Sequence, residues 1–349
     1  MMKKALLIIF LSLLLFSLSS CKANTKFSKN YFAFGTEISI DIYGIKEKDA
    51  DIYFKKTKGI IDTYNRLTDR YNDYSNTDGV YNINKNAGKE TKIDPLLIEL
   101  IEYSIDKENL VKLDDKTYFT IGIGKVSDLY HDLFENHNME SFTESELNIN
   151  YDIDIETDTS KISINKVNNT ILIPNNMSLD FGGVAKGYAV EIIKKYYEEN
   201  NIKYVIDAGS SSISTNYGNP NRDNSVLKVG LKKPTLNNTD EVFGILDLDI
   251  NYSISTSAFY QKYVLVDNKI YSSILSKYTY KPVETDIYSI TIVNKDSSIG
   301  DILSTSLYMI GYDNAINYIN SNEEIEGIIY KSDGTIFISE GLKNKFTIK

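Results

Sequence analysis

Apolar and polar residues alternate through "FAFGTEISIDIYG", residues 32–44, and this period of two predicts a strand. From residue 48 the period changes. Ile52, Phe54, Ile60, Ile61, Tyr64 and Leu67 recur at helical spacing and predict a long helix over 48–68. Residues 69–88, "DRYNDYSNTDGVYNINKNAG", are dense in turn formers. "DPLLIELIEYSIDKENL", 94–110, predicts a second helix, with Asp94 as its N-cap and Pro95 at its first position. Residues 140–160 are acidic and polar, as in an exposed insertion, and "KISINKVNNTILI" (161–173) predicts a hairpin turning at Val167-Asn168-Asn169. A helix is expected over about 183–199, followed by a strand at 203–209. Several strands are expected within 226–295, then a last helix over 300–320. A closing hairpin spans 327–339 with its turn at Asp333-Gly334. Long helices mixed with hairpins predict an α+β fold, and no repeat or long linker divides it.

The first twenty residues stand apart from this pattern. Lys3 and Lys4 precede an apolar run from Ala5 to Phe16, too short to span a bilayer and ending in small residues. This is the form of a secretory signal peptide. "LSSC", Leu18 to Cys21, matches the lipobox of bacterial lipoproteins, in which the Cys is acylated and becomes the new N-terminus. The expected division is therefore a signal peptide at 1–20, a lipidated Cys21 with a polar tether at 21–30, and one folded unit at 31–349. A lipid on Cys21 would hold the protein at the outer face of the cell membrane without spanning it.

Composition narrows the function. Cys21 is the single cysteine, so no internal disulfide is available and the core must stabilise the fold alone. Formal charge is −10, which argues against nucleic acid and disfavours anionic substrates unless a metal ion or local cations offset the field. Two histidines, His131 and His137, leave little scope for imidazole chemistry; their setting, "LYHDLFENHN", suggests surface positions.

Two stretches could carry chemistry. In "SLDFGGVAKGYA", 178–189, Asp180 ends an apolar run, Gly182 and Gly183 permit close approach to the backbone, and a helix follows. A glycine loop at a helix N-terminus suits phosphate oxygens, and Lys186 adds a positive charge. The plainer alternative is a tight strand-to-helix turn capped by Asp180. In "GDILSTSLYMIG", 300–311, Asp301 and Thr305 are four apart and share a helix face. An acid, a hydroxyl and a backbone carbonyl form a hard-oxygen donor set suited to Mg²⁺. The alternative has Asp301 as the N-cap.

"FGT" (34–36), "LDFGGVAKGYA" (179–189), "GSSSI" (209–213), "ISTSAFYQKY" (254–263) and "GDILSTSLYMIG" (300–311), in this order, resemble the ApbE-type FAD:protein FMN transferases. The resemblance covers nearly all of the chain beyond the signal peptide. It implies the family's α+β architecture with flavin in a cleft between two halves of one unit. It also implies Mg²⁺-dependent transfer of FMN from FAD to a Thr or Ser of an extracytoplasmic protein, typically a membrane redox-complex subunit, with release of AMP. Matched to the motifs, Asp180 and Lys186 would contact FAD, and the Gly183 carbonyl would join Asp301 and Thr305 at the metal. Tyr74 stands at the family's flavin-contacting Tyr, Phe34 at the residue before Gly-Thr, and Tyr118, Phe119 and Thr120 at a segment touching the nucleotide.

One stretch departs from the family. "YSSILSKYTYKPV", 271–283, has Ser272 and Ser273 where the family has two histidines, Ser276 for the acid, Lys277 for Pro and Tyr280 for Gly. Ser273 thus stands where the family's base and flavin contact would be, yet serine accepts no proton near neutral pH. Deprotonation of an acceptor would fall to solvent or to Asp180. Two further activities follow from this departure: hydrolysis of FAD to FMN and AMP, and flavin binding without turnover.

Overall fold

The computed structural model describes residues 25–147, 149, 152–218, 226–236 and 240–349. Eight strands form one sheet: β1 (Lys26–Ala33), β2 (Thr36–Tyr43), β3 (Lys203–Ala208), β4 (Ser212–Thr215), β5 (Tyr252–Ala258), β6 (Ile287–Asn294), β7 (Glu326–Lys331) and β8 (Ile336–Ile338). They lie side by side in chain order, each antiparallel to its neighbour. Tight turns join β1 to β2, β3 to β4 and β7 to β8, and the rest of the fold is inserted between the other strands. Between β2 and β3 come α1 (Glu47–Thr68), α2 (Val80–Lys85), α3 (Pro95–Lys107), α4 (Gly124–Asn136) and α5 (Ala185–Glu199). Between β6 and β7 come α6 (Ser297–Ile310) and α7 (Tyr312–Asn320). Among the described residues no helix is long and apolar enough to cross a membrane.

Period-two alternation buries both faces of the sheet. On one face, Ile38, Ile40, Ile42, Tyr204 and Ile206 pack with Phe54 and Ile61 of α1 and with Val190, Ile193 and Tyr197 of α5. Further along, Ile290, Ile292 and Ile329 pack with Leu303 and Leu307 of α6 and Ile319 of α7. On the other face, Ile213, Ile254, Val293 and Ile328 meet Val229, Leu231, Leu246, Leu248 and Phe346 of a three-stranded sheet (Val226–Lys232, Val242–Asp249, Phe346–Ile348). Where β4 and β5 run beneath α6, the helix-facing positions are Ser212, Ser214, Ser253 and Ser255, and all four are buried. Small side chains let α6 approach closely. A Cβ on Gly300 would come to 2.7 Å from the Ser255 hydroxyl, and one on Gly187 of α5 to 2.4 Å from the Ser297 carbonyl. The site is built on this tight junction.

The α+β expectation holds, and several elements differ in detail. The predicted strand at 32–44 is a hairpin whose first strand reaches back to Lys26, into the segment read as a tether. Its two-residue turn is Phe34-Gly35, both with positive φ (53° and 72°), and the Phe34 N–H donates to Asn65 Oδ1 at 2.6 Å. The turn-rich stretch 69–88 contains the short α2. The expected cap holds at α3, where Asp94 accepts from the Leu96 N–H at 2.8 Å. The 161–173 hairpin forms as expected, with Asn165 Oδ1 holding the Val167 and Asn168 N–H groups. Helix α4 was not predicted. Within the insertion at 140–160, Ser141–Phe142 pairs parallel with the strand Tyr263–Val266, and Leu147 is buried, so this part is docked rather than freely exposed. The last helix is two helices broken at Gly311 (φ 81°).

Candidate active site

Helix α6 begins at Ser297, earlier than the periodicity suggested. Asp296 is its cap, accepting from the N–H groups of Ser298 (2.8 Å) and Ile299 (3.0 Å). Asp301 is therefore not an N-cap. It lies in the second turn, buried against α5. Its Oδ2 accepts from Lys186 Nζ at 3.0 Å and from the Gly187 N–H at 2.9 Å, and its Oδ1 accepts from the Ser212 hydroxyl at 2.6 Å. Lys186 also donates to Ser212 at 2.6 Å, closing a ring of three side chains from α5, β4 and α6. A carboxylate offers about four acceptor positions, so three donors leave Asp301 room for one more partner. One helical turn on, the Thr305 hydroxyl lies 3.2 Å from the Ser257 hydroxyl.

The glycine loop enters α5 over two buried anchors, Phe181 and Val184, which share a core cluster with Phe119 and Ile302. Gly182 is left exposed and Gly183 partly so. A Cβ on Gly183 would lie 3.4 Å from the Phe119 ring, so Phe119 forms the wall behind the loop. Asp180 does not cap α5. Its Oδ1 accepts from the Gly182 N–H at 2.8 Å and shapes the loop, and its own N–H donates to the Ile121 carbonyl at 2.8 Å. Segment 118–121 is thus tied to the glycine loop. Thr120 is buried, with its hydroxyl accepting from the Gly122 N–H at 3.1 Å and donating to the Thr157 carbonyl at 3.3 Å. It serves its own loop first.

Nothing in the sequence pattern marks Arg70. Its guanidinium is 6% exposed and donates to the carbonyls of Gly124 (2.8 Å) and Leu179 (3.3 Å), to the Ser178 hydroxyl (3.0 Å) and to the Tyr71 hydroxyl (2.9 Å). It pairs with Asp128 at 2.9 Å and reaches Asp180 at 3.9 Å. Burial pulls the Arg70 pKa down, but Asp180 and Asp128 outweigh it and leave the pKa above its ordinary value. Tyr71 stacks on His131 with ring centres 4.0 Å apart and planes at 20°. His131 is therefore half-buried beside this cluster, and His137 is also partly buried, 3.1 Å from Glu140. Tyr74 donates to Asp69 Oδ2 at 2.8 Å.

Tyr118 lies apart from Asp301, in a cleft of about 310 Å³ that it lines with Lys277, Tyr278 and Met309. Ser273 is exposed at the end of the strand Lys269–Ser272, with its N–H bonded to the Lys262 carbonyl, while Ser272 is buried. Tyr280 adopts φ 54°, a left-handed conformation suited to the glycine it replaces and strained for a bulky side chain. Cys21 lies outside the described residues.

No group of three or more His, Cys, Asp or Glu gathers among the described residues. Any metal here must rest on few charged ligands. Asp301 and the Thr305 hydroxyl lie one turn apart on α6 and are hard oxygens of the kind Mg²⁺ takes alongside water and phosphate.

Comparison with known proteins assigns the chain to a family. Residues 34–329 match the ApbE family. The FAD:protein FMN transferase of Klebsiella pneumoniae (strain 342) is 26% identical over 171 residues, which cover 49% of this chain and 51% of the relative. That of Escherichia coli K12 is 26% identical over 141 residues, 40% of this chain and 39% of the relative. The chain spans about half the length, or less, of the curated relatives it matches. Among solved structures, the ApbE protein of Thermotoga maritima superposes with a TM-score of 0.71 at 19% identity, covering 91% of this chain and 98% of that one. The flavin transferase ApbE of Vibrio cholerae does so with a TM-score of 0.68 at 18% identity, covering 92% and 99%.

Proposed function

The chain belongs to the ApbE family, and on that premise we propose that it transfers FMN from FAD to a Thr or Ser of an extracytoplasmic protein, with Mg²⁺, releasing AMP. The observation that carries this is the ring of Asp301, Lys186 and Ser212 beside an open glycine loop. Asp301, the Thr305 hydroxyl and the Gly183 carbonyl would hold the metal. Bound Mg²⁺ would neutralise the diphosphate, which otherwise repels a nucleophile. Lys186 donates to Asp301 and adds positive charge beside the loop. The glycine loop lets diphosphate oxygens approach the backbone, and Arg70 fixes the segment 178–179 that leads into Asp180. Phe34, Tyr74 and Tyr118 supply aromatic surface for the ring systems of FAD, and Phe119, itself buried, backs the glycine loop.

The test is incubation with FAD, Mg²⁺ and a recombinant flavin-acceptor domain of a membrane redox-pump subunit, followed by intact-mass analysis and nucleotide chromatography. A flavinylated acceptor plus AMP is expected. FMN and AMP without adduct would instead support hydrolysis, the reading favoured by an exposed serine at position 273, and intact bound FAD would support a carrier.

We also propose a lipid anchor at Cys21, on the strength of "LSSC" alone. Cys21→Ser should release the protein from washed membranes into the soluble extracytoplasmic fraction. Retention of the variant on membranes after a salt wash would refute the anchor.

A further inference from the structure

Lys194 is buried on the face of α5 that meets α6, with its side chain 5% exposed. A buried ammonium needs a partner for each of its three N–H donors. Lys194 Nζ donates to the Lys295 carbonyl at 2.6 Å, to Glu191 Oε2 at 2.8 Å and to the Ser253 hydroxyl at 3.3 Å. Glu191 Oε2 also accepts from the Ser297 N–H at 3.0 Å. Ser297 is the first residue of α6, and the opening N–H groups of a helix have no partner within it. Asp296 takes the next two, so Glu191 completes from α5 what the helix's own cap leaves open.

Ser297 is held at its other polar atoms too. Its hydroxyl lies 2.7 Å from the Ser214 hydroxyl and 3.2 Å from that of Ser253, and those two are 2.7 Å apart. Its carbonyl sits so close to α5 that a Cβ on Gly187 would overlap it. Gly187, Glu191 and Lys194 are spaced four and three apart and share one face of α5, and Asp301 is four beyond Ser297 on α6. Glu191 and Lys194 therefore fix where α6 begins. One turn on, the same face of α5 receives Asp301 with Lys186 and the Gly187 N–H.

We propose that Glu191 and Lys194 are positioning residues for Asp301. Their bonds go to Ser297, Lys295 and Ser253 rather than to Asp301 itself. They act by setting the register of α6 on α5, and so the point at which the Asp301 carboxylate stands between Lys186, Ser212 and the metal. The proposal deepens the transferase reading and rests on its metal assignment. A buried ion pair is a poor source of stability, because apolar side chains of similar volume often serve as well. What the pair adds here is direction, through bonds to the backbone at residues 295 and 297 that packed methylenes cannot make.

Mn²⁺ binding in the presence of FAD, read by electron paramagnetic resonance, tests this, since Mn²⁺ takes the same hard oxygens as Mg²⁺. The double variant Glu191→Met with Lys194→Met leaves no unpaired charge and should stay folded by circular dichroism. Its Mn²⁺ affinity should fall by about 10–100-fold, as for other residues that orient a metal ligand. AMP release should fall in parallel at limiting Mg²⁺ and recover at high Mg²⁺. Ser253→Ala, a smaller change that removes one acceptor of Lys194, should lower the Mn²⁺ affinity in the same direction. Leu246→Ala opens a cavity in the core under the three-stranded sheet, away from α5 and α6, and should cost stability without changing Mn²⁺ affinity. Unchanged Mn²⁺ affinity in the folded double variant and in Ser253→Ala, or an equal loss in Leu246→Ala, would overturn the positioning role and leave the transferase reading intact. No Mn²⁺ binding by the wild type with FAD would bring down the metal assignment and this proposal together. The expected Mn²⁺ shifts without a flavinylated acceptor would refute transfer and leave the positioning role standing.

Discussion

Asp301→Ala is expected to abolish FAD cleavage and to destabilise the fold by about 3 kcal/mol, the lower end of the cost of leaving one member of a buried pair alone. Both effects have one origin. Asp301 accepts from Lys186, Ser212 and Gly187, and it is the only charged group in the proposed metal set. Without it, Lys186 keeps a charge in a largely buried position with only the Ser212 hydroxyl as partner. Asp301→Asn separates the two losses. The single amide oxygen can still accept from Gly187, with the NH₂ turned to the Ser212 hydroxyl, but the amide brings no negative charge for Mg²⁺ or Lys186. It should recover part of the stability and none of the cleavage. Denaturant unfolding and AMP release in Mg²⁺ measure these outcomes. A double change of Lys186→Met with Asp301→Leu should unfold at a higher denaturant concentration than Asp301→Ala, because the unpaired charge is gone. Undiminished AMP release by Asp301→Ala would remove this carboxylate from the chemistry.

Which parts of this site were legible depends on how local their causes are. The Asp301–Thr305 spacing is a property of one helix and is visible in the chain. So is the glycine loop, because its apolar anchors and bare positions alternate within a few residues. What Asp301 faces was not legible. Its partners Lys186 and Ser212 are 115 and 89 residues away, brought there by the close packing of α5 on α6. The start of α6 was misplaced because Ser297 and Ser298 look like loop residues. They are buried in the helix, and Asp296 caps it. The β1–β2 hairpin was read as one strand because its turn begins with Phe34, a bulky residue that gives no turn signal and is held at positive φ with Asn65 bonded to its N–H. Helix α4 begins at Gly124 without a side-chain cap, so no start signal marked it. A Cβ on Gly124 would come to 2.6 Å from the Ser178 carbonyl, so the glycine there answers a segment distant in sequence rather than its own helix.

Arg70 is the extreme case, since it lies in a turn-rich stretch and its partners Ser178 and Leu179 are more than a hundred residues on. Arg70→Met is expected to destabilise the protein by about 3–5 kcal/mol, the usual cost of breaking a buried charge pair by removing one side. The methionine fills much of the volume, so the loss is chiefly polar. The carbonyls of Gly124 and Leu179 lose a donor, and Asp128 and Asp180 lose their cation. Asp180 leaves the end of the same segment, residues 178–179, and forms the first turn of the glycine loop through its bond to the Gly182 N–H. Loosening that end should spread to the loop, so FAD affinity should fall by about tenfold or more even where the variant is still folded. Arg70→Lys should recover only a minority of either loss, because a single ammonium cannot reach carbonyls and carboxylates spread around a planar fork. Urea unfolding monitored by circular dichroism gives the stability, and flavin fluorescence titration well below the melting temperature gives the affinity. If Arg70→Met unfolds within 1 kcal/mol of the wild type, the clamp is not a major source of stability. If the folded variant binds FAD as tightly as the wild type, the shape of the glycine loop does not depend on Arg70, and Phe181 and Val184 hold it by packing alone.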